Sequence, residues 1–159
     1  ARLFTGEVSN WSELGGLDAP VAAYGRETGS GTRDAFEAAI GAAGRCVYTN
    51  EYSSTGDVVG NVAANPNAVG YASLAAISEG VAALEIDGVT CTAASVRDGS
   101  YRISRPFLLV TRAGAPLSTE ARSFLDYARS AGAAAVIGKA GAVSILSLEE
   151  GENQNHERG

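Results

Sequence analysis

Apolar and polar positions recur along the chain with two different periods, and the switches between them mark its elements. Residues 21–24 (Val-Ala-Ala-Tyr) are a short apolar run closed by Gly25, the pattern of a buried strand. A polar loop follows. From Thr32 the apolar positions Ala35, Phe36, Ala39, Ile40 and Ala43 fall three and four apart, which predicts a helix closed by Gly44. Residues 47–52 read as a second strand and residues 55–64 as a second helix. Asn65-Pro66-Asn67 ends that helix, because the residue before a proline is driven out of the α region. Residues 68–71 are strand-like and residues 74–77 form a short turn or helix. Alternation over residues 81–86 with the turn pair Asp87-Gly88 predicts a hairpin leading to Val89.

Beyond Tyr101 the pattern changes. Arg105-Pro106 precedes an apolar strand over residues 107–110, and Ser118 caps a helix running to about Ser130 with Phe124, Leu125 and Ala128 on one face. A second short helix is expected over residues 133–140. Residues 151–159 are charged and free of aromatics, so they are expected to form a disordered tail. The single tryptophan, Trp11, is expected to anchor the first segment to the core, and Tyr71 beside Gly70 to pack.

Composition narrows the function classes. With 159 residues, 45% of them hydrophobic and 19% charged, the chain has enough apolar material for the core of one ordinary domain. Its 18 acidic and 12 basic residues give a net charge of −6, which argues against a nucleic-acid surface held by phosphate contacts. His156 is the only histidine, so histidine triads and metal sites with two histidines are excluded by inventory. Lys139 interrupts the longest apolar stretch, around residues 133–148, before it reaches membrane-spanning length. The chain begins at Ala1 with no signal peptide and contains no methionine. The expectation is therefore a processed or excised polypeptide rather than a complete translation product. Cys46 and Cys91 permit one disulfide, and two free thiols are the alternative.

The segment richest in chemistry is Arg26-Glu27-Thr28-Gly29-Ser30-Gly31-Thr32-Arg33-Asp34, between the first strand and the first helix. A helix start leaves its first N–H groups unpaired at the positive end of the dipole, and glycines let an anion approach the backbone. Ser30 and Thr32 add hydroxyl donors, and Arg26 at the strand end offers a planar fork to two oxygens. A capping box needs Glu or Gln three residues after Ser30, where Arg33 stands, so the amides are expected to stay open for a ligand. A plain turn and helix cap is the alternative meaning of Gly-Ser-Gly-Thr. Rival motifs fail at named positions. No lysine precedes the Ser/Thr as a Walker loop requires, and Asp34 stands where a dinucleotide motif needs its third glycine. Thr28 and Thr32 replace the glycines of a nucleophile elbow around Ser30, and no histidine is near to activate it.

Phe4-Thr5-Gly6-Glu7-Val8-Ser9-Asn10-Trp11-Ser12, followed by the run from Arg26 to Phe36, resembles the phosphate-binding protein of bacterial ABC-type phosphate importers. Residues 65–74 (Asn-Pro-Asn-Ala-Val-Gly-Tyr-Ala-Ser-Leu), residues 101–108 and Phe124-Leu125-Asp126-Tyr127 are similar to that family's segments in the same order, so the resemblance extends to about Leu148. It implies an α/β, type II periplasmic-binding-protein-like lobe with a central mixed sheet flanked by helices. Residues 1–104 would be the phosphate-binding second lobe and residues 105–150 a strand–helix return into an incomplete first lobe. Carried over, the phosphate contacts fall on Arg26, Ser30, Gly31 and Thr32, with Glu27, Thr28 and Gly29 in support. Some members orient the arginine with a carboxylate two residues on; here that position is Thr28, with Glu27 adjacent.

The resemblance further implies no catalysis, no metal and no cofactor. It implies inorganic phosphate as ligand, a transporter permease as partner, and an extracytoplasmic location in the periplasm or at the cell surface, lipid-anchored in the full-length protein. The N-terminal lobe that closes the cleft in the family is absent from this sequence, so association with such a lobe or with another copy of the chain is expected. Three alternatives stay open: a sensor or protein-interaction module on the same scaffold, binding of another oxyanion such as sulfate, and an enzyme acting on phosphorylated substrates. The last is disfavoured because no general base lies beside Ser30.

Overall fold

The computed structural model describes residues 1–144, and its elements follow the alternation read from the sequence. Strand β1 (Ala22–Arg26) leads into α1 (Gly31–Ala39), β2 (Asn50–Tyr52) into α2 (Thr55–Ala64), and β3 (Ala68–Val69) follows. Helix α3 (Ala93–Arg97) comes next, then α4 (Thr119–Ala128) and α5 (Ala131–Lys139). Single 3-10 turns cover Trp11–Leu14 and Leu74–Ala76. None of the described helices is long and apolar enough to cross a membrane.

The sheet order is β2-β1-β3, with Tyr24 opposite Asn50, Arg26 opposite Tyr52 and Ala22 opposite Ala68. Every pairing in it is parallel, so the expected mixed sheet is corrected to a parallel one among the described residues. The cause lies in the connections: β1 and β2 are joined through α1, and β2 and β3 through α2, and such helical crossovers return the chain in the same direction. The antiparallel contacts are isolated bridges, Asn10 to Pro20 and Ile86 to Val89. The second is all that forms of the expected hairpin over residues 81–89. Its turn has Asp87 at φ 53° and Gly88 at φ 77°, the paired left-handed conformation of a two-residue hairpin loop.

Helix α2 begins and ends where expected, while α1 ends at Ala39 rather than near Gly44. Gly41 takes φ 67° and stops it. The Gly41 N–H donates to the Ala38 carbonyl and the Ala42 N–H to the Glu37 carbonyl, which together make a Schellman motif. Two strands are shorter than their apolar runs. Val47 and Thr49 instead donate backbone bonds to the carbonyls of Phe4 and Ala23, at 2.7 Å each.

The core gathers around Phe36 of α1. Tyr71 stacks on it with centroids 4.2 Å apart, and Phe4 meets it edge-on at 4.8 Å. Ala23 and Val69 complete the buried cluster. Trp11 anchors the first segment as expected, through its indole N–H to the Asn67 carbonyl at 3.0 Å and its packing on that cluster. Helix α2 closes on β3 so tightly that a Cβ on Gly70 would lie 2.8 Å from Val58 Cγ1, so only glycine fits there.

Cys46 and Cys91 both stand as free thiols, the second of the two alternatives. They belong to different neighbourhoods: Cys46 packs against the Phe36 cluster and donates to the Ala42 carbonyl, whereas Cys91 lies beside Tyr101.

The chain forms two compact units that part between Arg105 and Pro106. In the second, α4 and α5 pack on each other, capped by Ser118 and Ser130. The strand expected over residues 107–110 does not form. Phe107, Leu108, Leu109 and Val110 are 60 to 91% exposed and lie outside the three-stranded sheet of the described residues, and a strand-like composition forms a strand only beside a neighbouring one. The tail expected over residues 151–159 lies outside the described residues.

Candidate functional site

The parallel order sets α1 and α2 starting from the same edge of the sheet, where the carboxyl ends of β1 and β2 lie side by side, the usual ligand-facing edge of such sheets. Beyond Arg26 the chain turns through Glu27, Thr28 and Gly29. The Ser30 N–H donates to the Glu27 carbonyl at 3.2 Å, and Gly29 takes φ 88°, a conformation that suits glycine alone.

Ser30 then caps α1. Its Oγ accepts the Arg33 N–H at 3.4 Å, and its carbonyl accepts the Asp34 N–H at 3.0 Å. Accepting in this way uses a lone pair and leaves the hydroxyl proton as a donor. The N–H groups of Gly31 and Thr32 have no hydrogen-bond partner among the described residues. They are therefore open to an anion at the positive end of α1.

Arg26 is held at five points. Its N–H donates to the Tyr71 hydroxyl at 2.8 Å, and its carbonyl accepts Arg33 Nη1 at 3.0 Å. In its side chain, Nε donates to the Tyr52 carbonyl at 3.2 Å, Nη1 to Thr55 Oγ1 at 3.0 Å and Nη2 to the Ser53 carbonyl at 2.6 Å. Every one of these side-chain acceptors is neutral. Glu27 and Thr28 are exposed and are not among them, so the guanidinium is aimed from the β2–α2 turn.

Two features near the loop escape a reading of the sequence. Arg105 Nη1 donates to the Gly31 carbonyl at 3.1 Å, bringing a second guanidinium to the first turn of α1. Behind the loop, Glu37 is only 5% exposed and takes bonds from Arg33 Nε at 2.8 Å, the Tyr48 hydroxyl at 3.0 Å and the Gly44 N–H at 2.8 Å. Arg33 also reaches Glu51 at 2.8 Å and lies over the Tyr48 ring. Burial alone raises a carboxyl pKa, but the bonds from Gly44, Arg33 and Tyr48 outweigh it and hold Glu37 below its ordinary value. Burial raises the pKa values of the Tyr48 and Tyr71 hydroxyls, so both stay protonated, Tyr48 donating to Glu37 and Tyr71 accepting the Arg26 N–H. A hollow of about 410 Å³ beside α1 is lined by Thr28, Gly29, Arg33, Asp34 and Glu37 and does not include Gly31 or Thr32. The open amides thus lie outside it.

A family model described as a PBP superfamily domain matches residues 1–131. The chain belongs to the PBP superfamily. The α/β arrangement above is that superfamily's fold, as the resemblance implied. Phosphate-binding protein PstS 2 of Streptococcus agalactiae is 34% identical over 130 residues, covering 76% of this chain and 44% of that protein. Phosphate-binding protein PstS of Bacillus subtilis is 36% identical over 132 residues, covering 81% and 43%. The chain therefore spans less than half the length of these relatives. Among solved structures, a Clostridium perfringens substrate-binding protein assigned to phosphate ABC transport, crystallised with bound phosphate, superposes with a TM-score of 0.74 at 36% identity. That match covers 90% of this chain and 59% of the other. An ABC-type phosphate transport receptor from Vibrio cholerae superposes at 0.78 with 26% identity, covering 90% and 60%.

Proposed function

We propose that this chain supplies the anion-holding wall of an inorganic phosphate receptor for ABC-type import, without catalysis, and that Arg26, Ser30, Gly31 and Thr32 contact the phosphate. The observation that carries this reading is the pair of open amides of Gly31 and Thr32 at the sheet edge where Arg26 is anchored by neutral acceptors. An oxyanion satisfies those amides, and a guanidinium whose charge is not offset by a bonded carboxylate favours a doubly charged guest. The relatives named above are phosphate-binding proteins, which supports phosphate over other oxyanions. In this reading the receptor works outside the cytoplasm, lipid-anchored in its full-length form, and delivers to a transporter permease. The facing wall of the pocket comes from an N-terminal lobe or a second copy of the chain. The exposed run Phe107 to Val110 is the apolar segment that such a partner covers.

With one wall only, the anion keeps water on its open side, and the affinity of the chain by itself is millimolar, on the order of −4 kcal/mol. Phosphate at fifty times that dissociation constant stabilises the folded chain by about 2 kcal/mol, which raises the melting temperature by several degrees. Thermal unfolding in phosphate against chloride of equal ionic strength measures it. No difference overturns the phosphate reading. Stabilisation by a protein partner without phosphate instead favours a sensor or interaction module, for which the exposed Phe107 to Val110 run is the specific support. An equal shift in sulfate favours a less selective oxyanion site.

A further inference from the structure

We infer that Thr55, the first residue of α2, is the positioning residue that aims the Arg26 guanidinium at the anion, and this rests on the phosphate reading above. The side chain of Arg26 is fixed by three acceptors: the Tyr52 carbonyl, the Ser53 carbonyl and Thr55 Oγ1. Two of them are backbone atoms that no substitution removes. Thr55 Oγ1 is the one side-chain atom in the set, so the aim of the fork depends on which residue opens α2. It bonds Nη1, and with Nε and Nη2 held as well, all three guanidinium nitrogens are fixed in the plane of the group.

Losing the Thr55 hydroxyl removes one of the three side-chain tethers and leaves the two carbonyl bonds, so the aim of the fork loosens without moving the strand that carries it. The main chain of Arg26 is held separately, by the Tyr71 hydroxyl at its N–H and by Arg33 at its carbonyl. Helix α2 keeps its cap too, because Ser54 Oγ, not Thr55, accepts the Asp57 N–H at 3.0 Å. A hydroxyl also aims the arginine at no cost in charge. A carboxylate in the same role would offset part of the field that holds a dianion, whereas Thr55 leaves it to the ligand. An arginine fixed before binding loses less side-chain entropy when the anion arrives, so its pre-positioning appears as affinity.

The test titrates the full chain and its variants with inorganic phosphate, following amide resonances. Thr55→Val keeps the shape and removes the acceptor; it is expected to weaken phosphate binding about fivefold to tenfold, with Thr55→Ser restoring it to within about twofold. Melting temperatures without phosphate are expected to agree within about 1 °C for all three, since no buried packing changes. In an Arg26→Lys background, where the planar fork is gone, Thr55→Val is expected to add less than about twofold, because Thr55 acts through that fork. Unchanged binding in Thr55→Val overturns the positioning role while leaving the phosphate reading intact. A lowered melting temperature with no rescue by serine makes Thr55 merely structural and overturns it as well. A wild-type chain that binds no phosphate overturns both.

Discussion

Alanine in place of Arg26 abolishes measurable phosphate binding by this chain while leaving it folded. The substitution removes a fork that supplies charge-assisted bonds of roughly 1.5 to 3 kcal/mol each. Two such bonds exceed half of a millimolar binding energy, so the dissociation constant rises by about a hundredfold or more, beyond the reach of calorimetry. The fold is spared because the backbone bonds of residue 26, to the Tyr71 hydroxyl and from Arg33, do not involve the guanidinium. The Ser53 carbonyl released by the substitution belongs to an exposed residue that water reaches. Calorimetric titration with circular dichroism on the same sample checks both halves. Phosphate binding within threefold of the wild type would place the anion elsewhere.

The largest effect on stability is expected at Glu37. Its carboxylate joins Arg33 of its own helix to the Tyr48 hydroxyl and to the Gly44 amide beyond the end of α1, and a truncation to alanine leaves all three donors without it. Breaking a buried pair costs about 3 to 5 kcal/mol, and Arg33 retains Glu51, which sets the expected loss near the lower end, about 3 kcal/mol. Urea unfolding of Glu37→Ala against the wild type measures it. The pH dependence has a definite sign. Bonding to Gly44, Arg33 and Tyr48 lowers the folded carboxyl below its ordinary value despite burial, so its contribution is complete at neutral pH and disappears as acid takes the carboxylate through that lowered value. The gap between Glu37→Ala and wild type therefore narrows on acidification below the ordinary carboxylate range. A gap that is constant with pH contradicts an ionised Glu37 at the centre of the cluster.

How far each feature was legible in the sequence depends on how local its cause is. Helix α2 was readable from Thr55 to Ala64 because Asn65-Pro66 is a steric stop in its own sequence neighbourhood. Helix α1 misleads because the apolar period continues to Ala43, while the left-handed turn at Gly41 and its two carbonyl bonds end the helix first. Residues 107–110 have strand composition, yet strand formation depends on a neighbour that no local pattern supplies. The candidate site divides the same way. Ser30 as the cap and the open amides after it follow from the order of residues around the helix start. The aim of Arg26 does not, since two of its three side-chain acceptors are carbonyls that any residue carries, brought near by the pairing of β1 with β2. The Arg33–Glu37 pair is not distinctive in the sequence, because an i,i+4 charge spacing is common on solvated helix faces and the burial of Glu37 comes from Tyr48 and Gly44 folding over it.

The most direct measurement is the movement of the Gly31 and Thr32 amide resonances as inorganic phosphate is added to the isotope-labelled chain. Both N–H groups are expected to shift strongly downfield and saturably, with a common millimolar dissociation constant and little response to chloride of equal ionic strength. Amides elsewhere shifting while Gly31 and Thr32 stay still would contradict an anion site at the start of α1.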